Sequence, residues 1–186
     1  MRWSDLFDDL EAQLAAREAA ELRGEVAEQT RAARGSVRLT ERLLADVGTR
    51  VRLGLRGGAV LEGVLGEVAQ DWLVLVEQRS PRDHEVLVVT AHLMTVLGLS
   101  GRSDQGRISR VERRLDLRHA LRALSRDRAV ARVLLIDGEV LTGTIDRVGA
   151  DHLDLSTHPE DLPRRSREVQ TVVSVPYSAL VSVARR

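Results

Sequence analysis

One stretch of the chain occurs twice, and this repeat limits the fold more than any other feature. Val51 to Leu75 (VRLGLRGGAVLEGVLGEVAQDWLVL) aligns without a gap with Ala131 to Leu155 (ARVLLIDGEVLTGTIDRVGADHLDL), 80 residues further on. Ten of the 25 paired positions are identical, including Gly58/Gly138, Gly63/Gly143, Asp71/Asp151, Leu73/Leu153 and Leu75/Leu155. Repeats of this kind place the same structural unit twice in one molecule. Gly57-Gly58 and Asp137-Gly138 each divide two apolar-rich runs, and such pairs supply the positive φ angles of two-residue hairpin turns. Gly63 and Gly143 fall inside the second run, where a glycine marks a bend or a close backbone approach. Third strands are expected over Trp72 to Glu77 and His152 to Thr157. The pattern predicts two small β-barrels.

Each repeat unit is roughly 55 residues, close to the size at which a domain fails to fold alone, so the two units are expected to share an interface. There is no cysteine and hence no thiolate chemistry. No run of 18 apolar residues suits a membrane helix, and a cytoplasmic protein is expected. The 28 basic residues, all arginine, balance 28 acidic ones, unlike a nucleic-acid binder with a wholly basic surface. Only Trp3, Phe7, Trp72 and Tyr177 are aromatic, which leaves little from which to build base-stacking platforms.

The layout predicts four segments: residues 1–35 as an N-terminal helix, 36–99 as the first barrel with a leading helix, 100–114 as a linker, and 115–186 as the second barrel with its own leading helix. Ser4 is an N-cap candidate, followed by acidic residues where the helix dipole favours them. Trp3, Phe7, Leu10 and Leu14 form one apolar stripe at helical spacing. Gly35-Ser36 is expected to break that helix, and Leu39 to Val47 to form a short second one. Trp72 to Val76 and Val86 to Val89 are apolar on both faces, so something should cover both faces of the first sheet. The cover could be the N-terminal helix, the second barrel or another subunit, with the Trp3-Phe7-Leu10-Leu14 stripe favoured, whereas His152, Asp154 and Ser156, at the places of Trp72, Val74 and Val76, tolerate water. Residues 102–132 hold ten arginines against four acids. Within them Arg118, Arg122 and Arg126 form a stripe at a spacing of four.

A short helix, three strands with a glycine-bent second strand, a variable loop, a fourth strand, a one-turn helix and a short fifth strand is an order that resembles Sm-like proteins. Gly138-Glu-Val-Leu-Thr-Gly143-Thr-Ile145 is similar to the first Sm motif. Val175-Pro-Tyr-Ser-Ala179-Leu-Val-Ser-Val183 is similar to the second motif of bacterial Sm-type RNA chaperones, with Val89 to Leu97 a weaker version. The whole layout also looks like an uncharacterised actinobacterial family. The resemblance covers both repeats, roughly residues 39 to 99 and 115 to 184, and not the N-terminal helix. With that helix, the expected architecture is a long N-terminal α-helix followed by two tandem Sm-like five-stranded β-barrels, each preceded by a short helix. It also departs from the family. The chain has no asparagine, so the base-holding asparagine has no counterpart. Of the chaperones' lysine-histidine pair, aligned here with Ala91-His92 and Tyr177-Ser178, only His92 matches.

No HExxH, GxSxG or phosphate-loop pattern is present. His152 with Asp151 and Asp154 offers a weak metal set, and no cofactor or metal site is expected. Without a placed nucleophile and base, an enzyme is not expected. The expected function is a non-enzymatic interaction or scaffold protein that binds a protein partner or itself, with Trp3, Phe7, Trp72 and Val74 as the candidate partner surface. The alternative is an RNA-binding regulator, with His92, Arg118, Arg122, Arg126 and Tyr177 as candidate contacts.

Overall fold

The computed structural model describes residues 35–78, 83–103, 116–157 and 171–185, and isolated positions between Gln13 and Arg31. The chain divides into two compact units, Met1–Arg38 and Leu39–Arg186. In the first, Gln13, Arg17, Glu21, Leu22, Gly24, Glu25, Glu28 and Arg31 are helical, and Gly35 and Ser36 are helical rather than a break. The rest of the expected N-terminal helix, with Trp3, Phe7, Leu10 and Leu14, lies outside the described residues.

The second unit begins with helix α1 (Leu39–Ala45), followed by strands β1 (Arg50–Leu55), β2 (Val60–Val68), β3 (Trp72–Glu77) and β4 (His84–Val89). A 3-10 turn (Thr90–His92) leads into β5 (Leu93–Leu97). Helix α2 (Leu117–Arg126) opens the second half, with β6 (Val130–Leu135), β7 (Val140–Val148), β8 (His152–Thr157) and β9 (Thr171–Pro176). A second 3-10 turn (Tyr177–Ala179) precedes β10 (Leu180–Arg185).

These strands form one ten-stranded antiparallel sheet in the order β5-β1-β2-β3-β4-β10-β6-β7-β8-β9. This overturns the expected architecture of a long N-terminal helix followed by two separate five-stranded barrels. The physical reason lies in backbone hydrogen bonding. In each half the 3-10 turn carries the chain from the fourth strand across to the first, so β5 pairs with β1 and β10 with β6. The fourth and fifth strands of one repeat do not pair, which leaves the outer edge of β4 open. An open edge presents a row of unsatisfied backbone groups. Here β10 satisfies it, with Ser182 opposite Val88, Val183 opposite Leu87 and Ala184 opposite Val86.

The two halves are copies in detail. Leu55 and Leu135 donate their N–H to the carbonyls of Ala59 and Glu139, and Ala69 and Gly149 to those of Trp72 and His152. Each second strand carries an irregularity at the same place, between Leu65 and Val68 and between Ile145 and Arg147. A Cβ at Gly63 would run into the Val76 carbonyl and one at Gly143 into that of Ser156. The glycines expected to bend the strands therefore stand where a neighbouring strand passes too close for any side chain. The two hairpin tips also touch each other. A Cβ on Gly57 (φ +84°) would lie 3.0 Å from the Gly138 nitrogen.

Two apolar cores lie against this sheet, and β10 belongs to both. Val181 packs with Leu53, Leu65, Leu73, Leu75 and Val88 of the first half. Leu180 and Val183 pack with Leu121, Val133, Ile145, Leu153 and Leu155 of the second. Strand β3 also serves both cores, here by strict alternation: Leu73 and Leu75 face the first core, and Trp72 with Val74 joins the second. Alternation sends successive side chains to opposite faces. The doubly apolar reading of β3 is thus explained, while the N-terminal stripe expected to cover it lies outside the described residues. Helix α2 lies over β3, with Ala120, Ala123 and Leu124 lining one hollow together with Trp72 and Val74. Ser156 differs from its expected wet position. It is buried, at 1% exposure, and its hydroxyl donates to Asp146.

Candidate interaction surfaces

The ends of the sheet are its least satisfied parts. Among the described residues, no strand pairs with the outer side of β5 or of β9. Neither strand carries a charge: β5 reads LMTVL and β9 reads TVVSVP. Natural sheets blunt such edges with lysines, inward charges or prolines, and among the described residues of these two strands only Pro176, at the end of β9, is of that kind. Large apolar side chains remain open on both strands. Met94 is 68% exposed, Leu97 58% and Val172 58%.

A second surface lies on α2. Asp116 caps the helix by accepting from the His119 N–H at 2.9 Å, and it also pairs with His119 Nδ1 at 2.7 Å and Arg118 at 3.7 Å. Burial pushes its carboxyl up, but the two His119 hydrogen bonds and the charges of His119 and Arg118 together hold it below the usual range. The Leu117 N–H reaches across to the Asp71 carboxylate at 3.2 Å, tying α2 to the β2–β3 turn of the first half. Further along, Arg122 and Arg126 border an open hollow of about 470 Å³ with His119, Arg147 and Asp146. Asp146 is engaged by Ser156. Sequence reading missed Arg147. It comes from β7, beyond the basic run, and only folding brings it to the helix.

The other predicted residues separate. Trp3 and Phe7 lie outside the described residues. Trp72, 6% exposed, is a core residue rather than an open partner surface, and Val74 is half-buried beside it. Tyr177 is half-buried, its hydroxyl donating to the Gly149 carbonyl at 3.0 Å. Burial raises its pKa above 10, opposed by nearby Arg118 and Arg122. His92 is buried at 6% exposure, and its Nδ1 has no hydrogen-bond partner. Burial pushes the imidazole below its ordinary 6.5 and the Arg56 guanidinium adds to this, while a hydrogen bond with the Ser178 backbone opposes both. His92 is therefore packed between the halves and does not join the arginines. Its counterpart in the second half is Ala179, not Ser178. Arg56 and Ile136 donate to the carbonyls of His92 and Ala179 respectively, and Thr90 and Tyr177 both donate to the aspartate carbonyl at the preceding turn.

The weak metal set also separates. His152 Nδ1 meets Asp151 at 2.8 Å, which holds the Asp151 carboxyl below its usual range, while Asp154 accepts from Ser174 at 2.6 Å. Among the described residues no three His, Asp or Glu side chains gather as metal ligands, and no helix is long and apolar enough to cross a membrane. Comparison of the chain with protein-family models, with curated proteins and with solved structures finds no match in any of the three.

Proposed function

We propose that the protein is a non-enzymatic scaffold that associates with copies of itself through its sheet. The observation that carries this reading is the pair of uncharged end strands, β5 and β9, with Met94, Leu97 and Val172 open to water. An exposed, apolar, uncharged strand edge is a template for adding another strand. Static light scattering of the full chain across a hundredfold range of concentration tests it. The weight-average mass should rise above that of one 20.6 kDa chain. A mass that stays at one chain throughout refutes the reading.

A second reading, RNA binding, is favoured by the hollow that gathers Arg122, Arg126, Arg147 and His119. Arginine contacts to phosphate make affinity fall with salt whatever the sequence. Arg147→Gln together with Arg122→Gln should then weaken binding to unrelated RNAs alike and flatten the salt slope. Equal binding by the variant and the wild-type chain would remove the hollow from consideration.

A further inference from the structure

We propose that copies associate head to tail, β9 of one adding antiparallel to β5 of the next, in the register already present inside the chain between β4 and β10. This rests on the self-association reading above and specifies its joint.

The chain contains one finished example. At the internal joint Ser182, Val183 and Ala184 lie opposite Val88, Leu87 and Val86. The outer strand at each end of the sheet is the counterpart of one half of that joint. β5 stands to β1 as β10 stands to β6: Leu97, Val96 and Leu93 lie opposite Arg52, Leu53 and Leu55, just as Ala184, Val183 and Leu180 lie opposite Arg132, Val133 and Leu135. β9 stands to β8 as β4 stands to β3, with Val175 opposite Leu153 where Val88 lies opposite Leu73. Transferring the internal register to the two free edges places Thr95 opposite Val175, Val96 opposite Ser174 and Leu97 opposite Val173. The exposed Leu97 then meets an apolar partner, and no pair sets charge against charge.

The two edges differ in kind, which decides the geometry of assembly. Pairing β5 with β5, or β9 with β9, would be an isologous contact with no precedent in the molecule. The internal joint is heterologous, and a heterologous contact leaves each added copy with one free edge for the next.

The absence of cysteine in the chain makes the test direct. Neighbouring pairs in an antiparallel ladder alternate between hydrogen-bonded and closer non-hydrogen-bonded types. Two neighbouring pairs therefore sample both geometries for a disulfide. Full-length Leu97→Cys is mixed with full-length Val173→Cys, and Val96→Cys with Ser174→Cys, and each mixture is oxidised. Met94→Cys mixed with Val172→Cys serves as an out-of-register control, since both sites are exposed but lie far apart in the proposed joint. The expected result is a reducible dimer from at least one in-register mixture, at several times the rate of the control and of each variant alone. The double variant of that pair should give a ladder of linked chains. In addition, Leu97→Lys, at an exposed site, should weaken association at least tenfold by light scattering. If the wild-type chain associates but in-register mixtures link no faster than the control, or single variants link to themselves as fast, the joint is wrong and self-association stands. If the wild-type chain stays monomeric, both fall.

Discussion

His92 shows how one buried ring can report on the fold. Its folded pKa lies below 6.5, chiefly because burial disfavours the imidazolium and Arg56 repels it. The unfolded chain therefore takes up a proton, as pH falls through 6.5, that the folded chain refuses. Stability rises with pH wherever the unfolded state holds more protons. The contribution of His92 is thus fully present above pH 6.5 and is lost progressively as pH falls from there toward the folded value. Urea midpoints measured from pH 8 to pH 5 should drop more for the wild-type chain than for His92→Gln. Parallel curves would mean that the ring titrates as it does in water. The sequence marked His92 as a candidate RNA contact because it matches the histidine of the Sm-type chaperones' lysine-histidine pair. Its burial depends on the Ser178 turn of the other half, which no local pattern contains.

Strands β3 and β8 occupy the same place in the two halves but face different surroundings. The difference is legible in the letters, because Trp72 and Val74 are matched by His152 and Asp154. Trp72 is 6% exposed among core residues, while the His152 side chain is 40% exposed. Trp72→Ser should cost about 2–4 kcal/mol, as large-to-small changes in cores do. His152→Ser should stay within about 0.5 kcal/mol, as surface changes do. Denaturant titration separates the two, and equal costs would mean that the faces are not distinct. Strand positions, the places of the hairpins and the close-approach glycines could be read from periodicity because each depends on residues close in sequence. However, Leu55–Ala59 and Leu135–Glu139 close three-residue loops rather than the expected two-residue turns, and Asp137 does not take the positive φ expected of it. The cover on Trp72 could not. Its stripe of leucines and alanines on α2 looks like any helix face, and nothing in its spacing says against which half it packs. The arginine hollow was half legible for the same reason: Arg122 and Arg126 share a helix, and Arg147 does not.

At the scale of the whole molecule, the joint between β4 and β10 makes two repeats into one sheet. Val181 is fully buried in the first core and Val183 is 1% exposed in the second, on the same strand. The halves therefore cannot lose their cores independently. Val181→Ala, at about 2 kcal/mol for a truncated core side chain, should shift one unfolding transition, seen alike by far-ultraviolet circular dichroism and by tryptophan fluorescence. Two separated transitions, with only one displaced, would show that the halves unfold as independent domains. The sequence repeat predicted two units with a shared interface but gave no sign that the interface is a hydrogen-bonded ladder. The period of a strand records its faces, not which strand lies at its edge.

The position of β10 in the chain has a consequence for biosynthesis. β4 is made early, and the strand that closes its edge comes after every other described strand of the sheet. At roughly 5–20 residues per second the ribosome needs about 5–20 s to cover that interval. Throughout it the nascent first half displays the open side of Val86, Leu87 and Val88 and lacks Val181 from its core, and until α2 is made Trp72 lacks the helix that covers it. A ribosome-bound chain stalled before Leu180 thus exposes an unpaired strand edge and an incomplete core together.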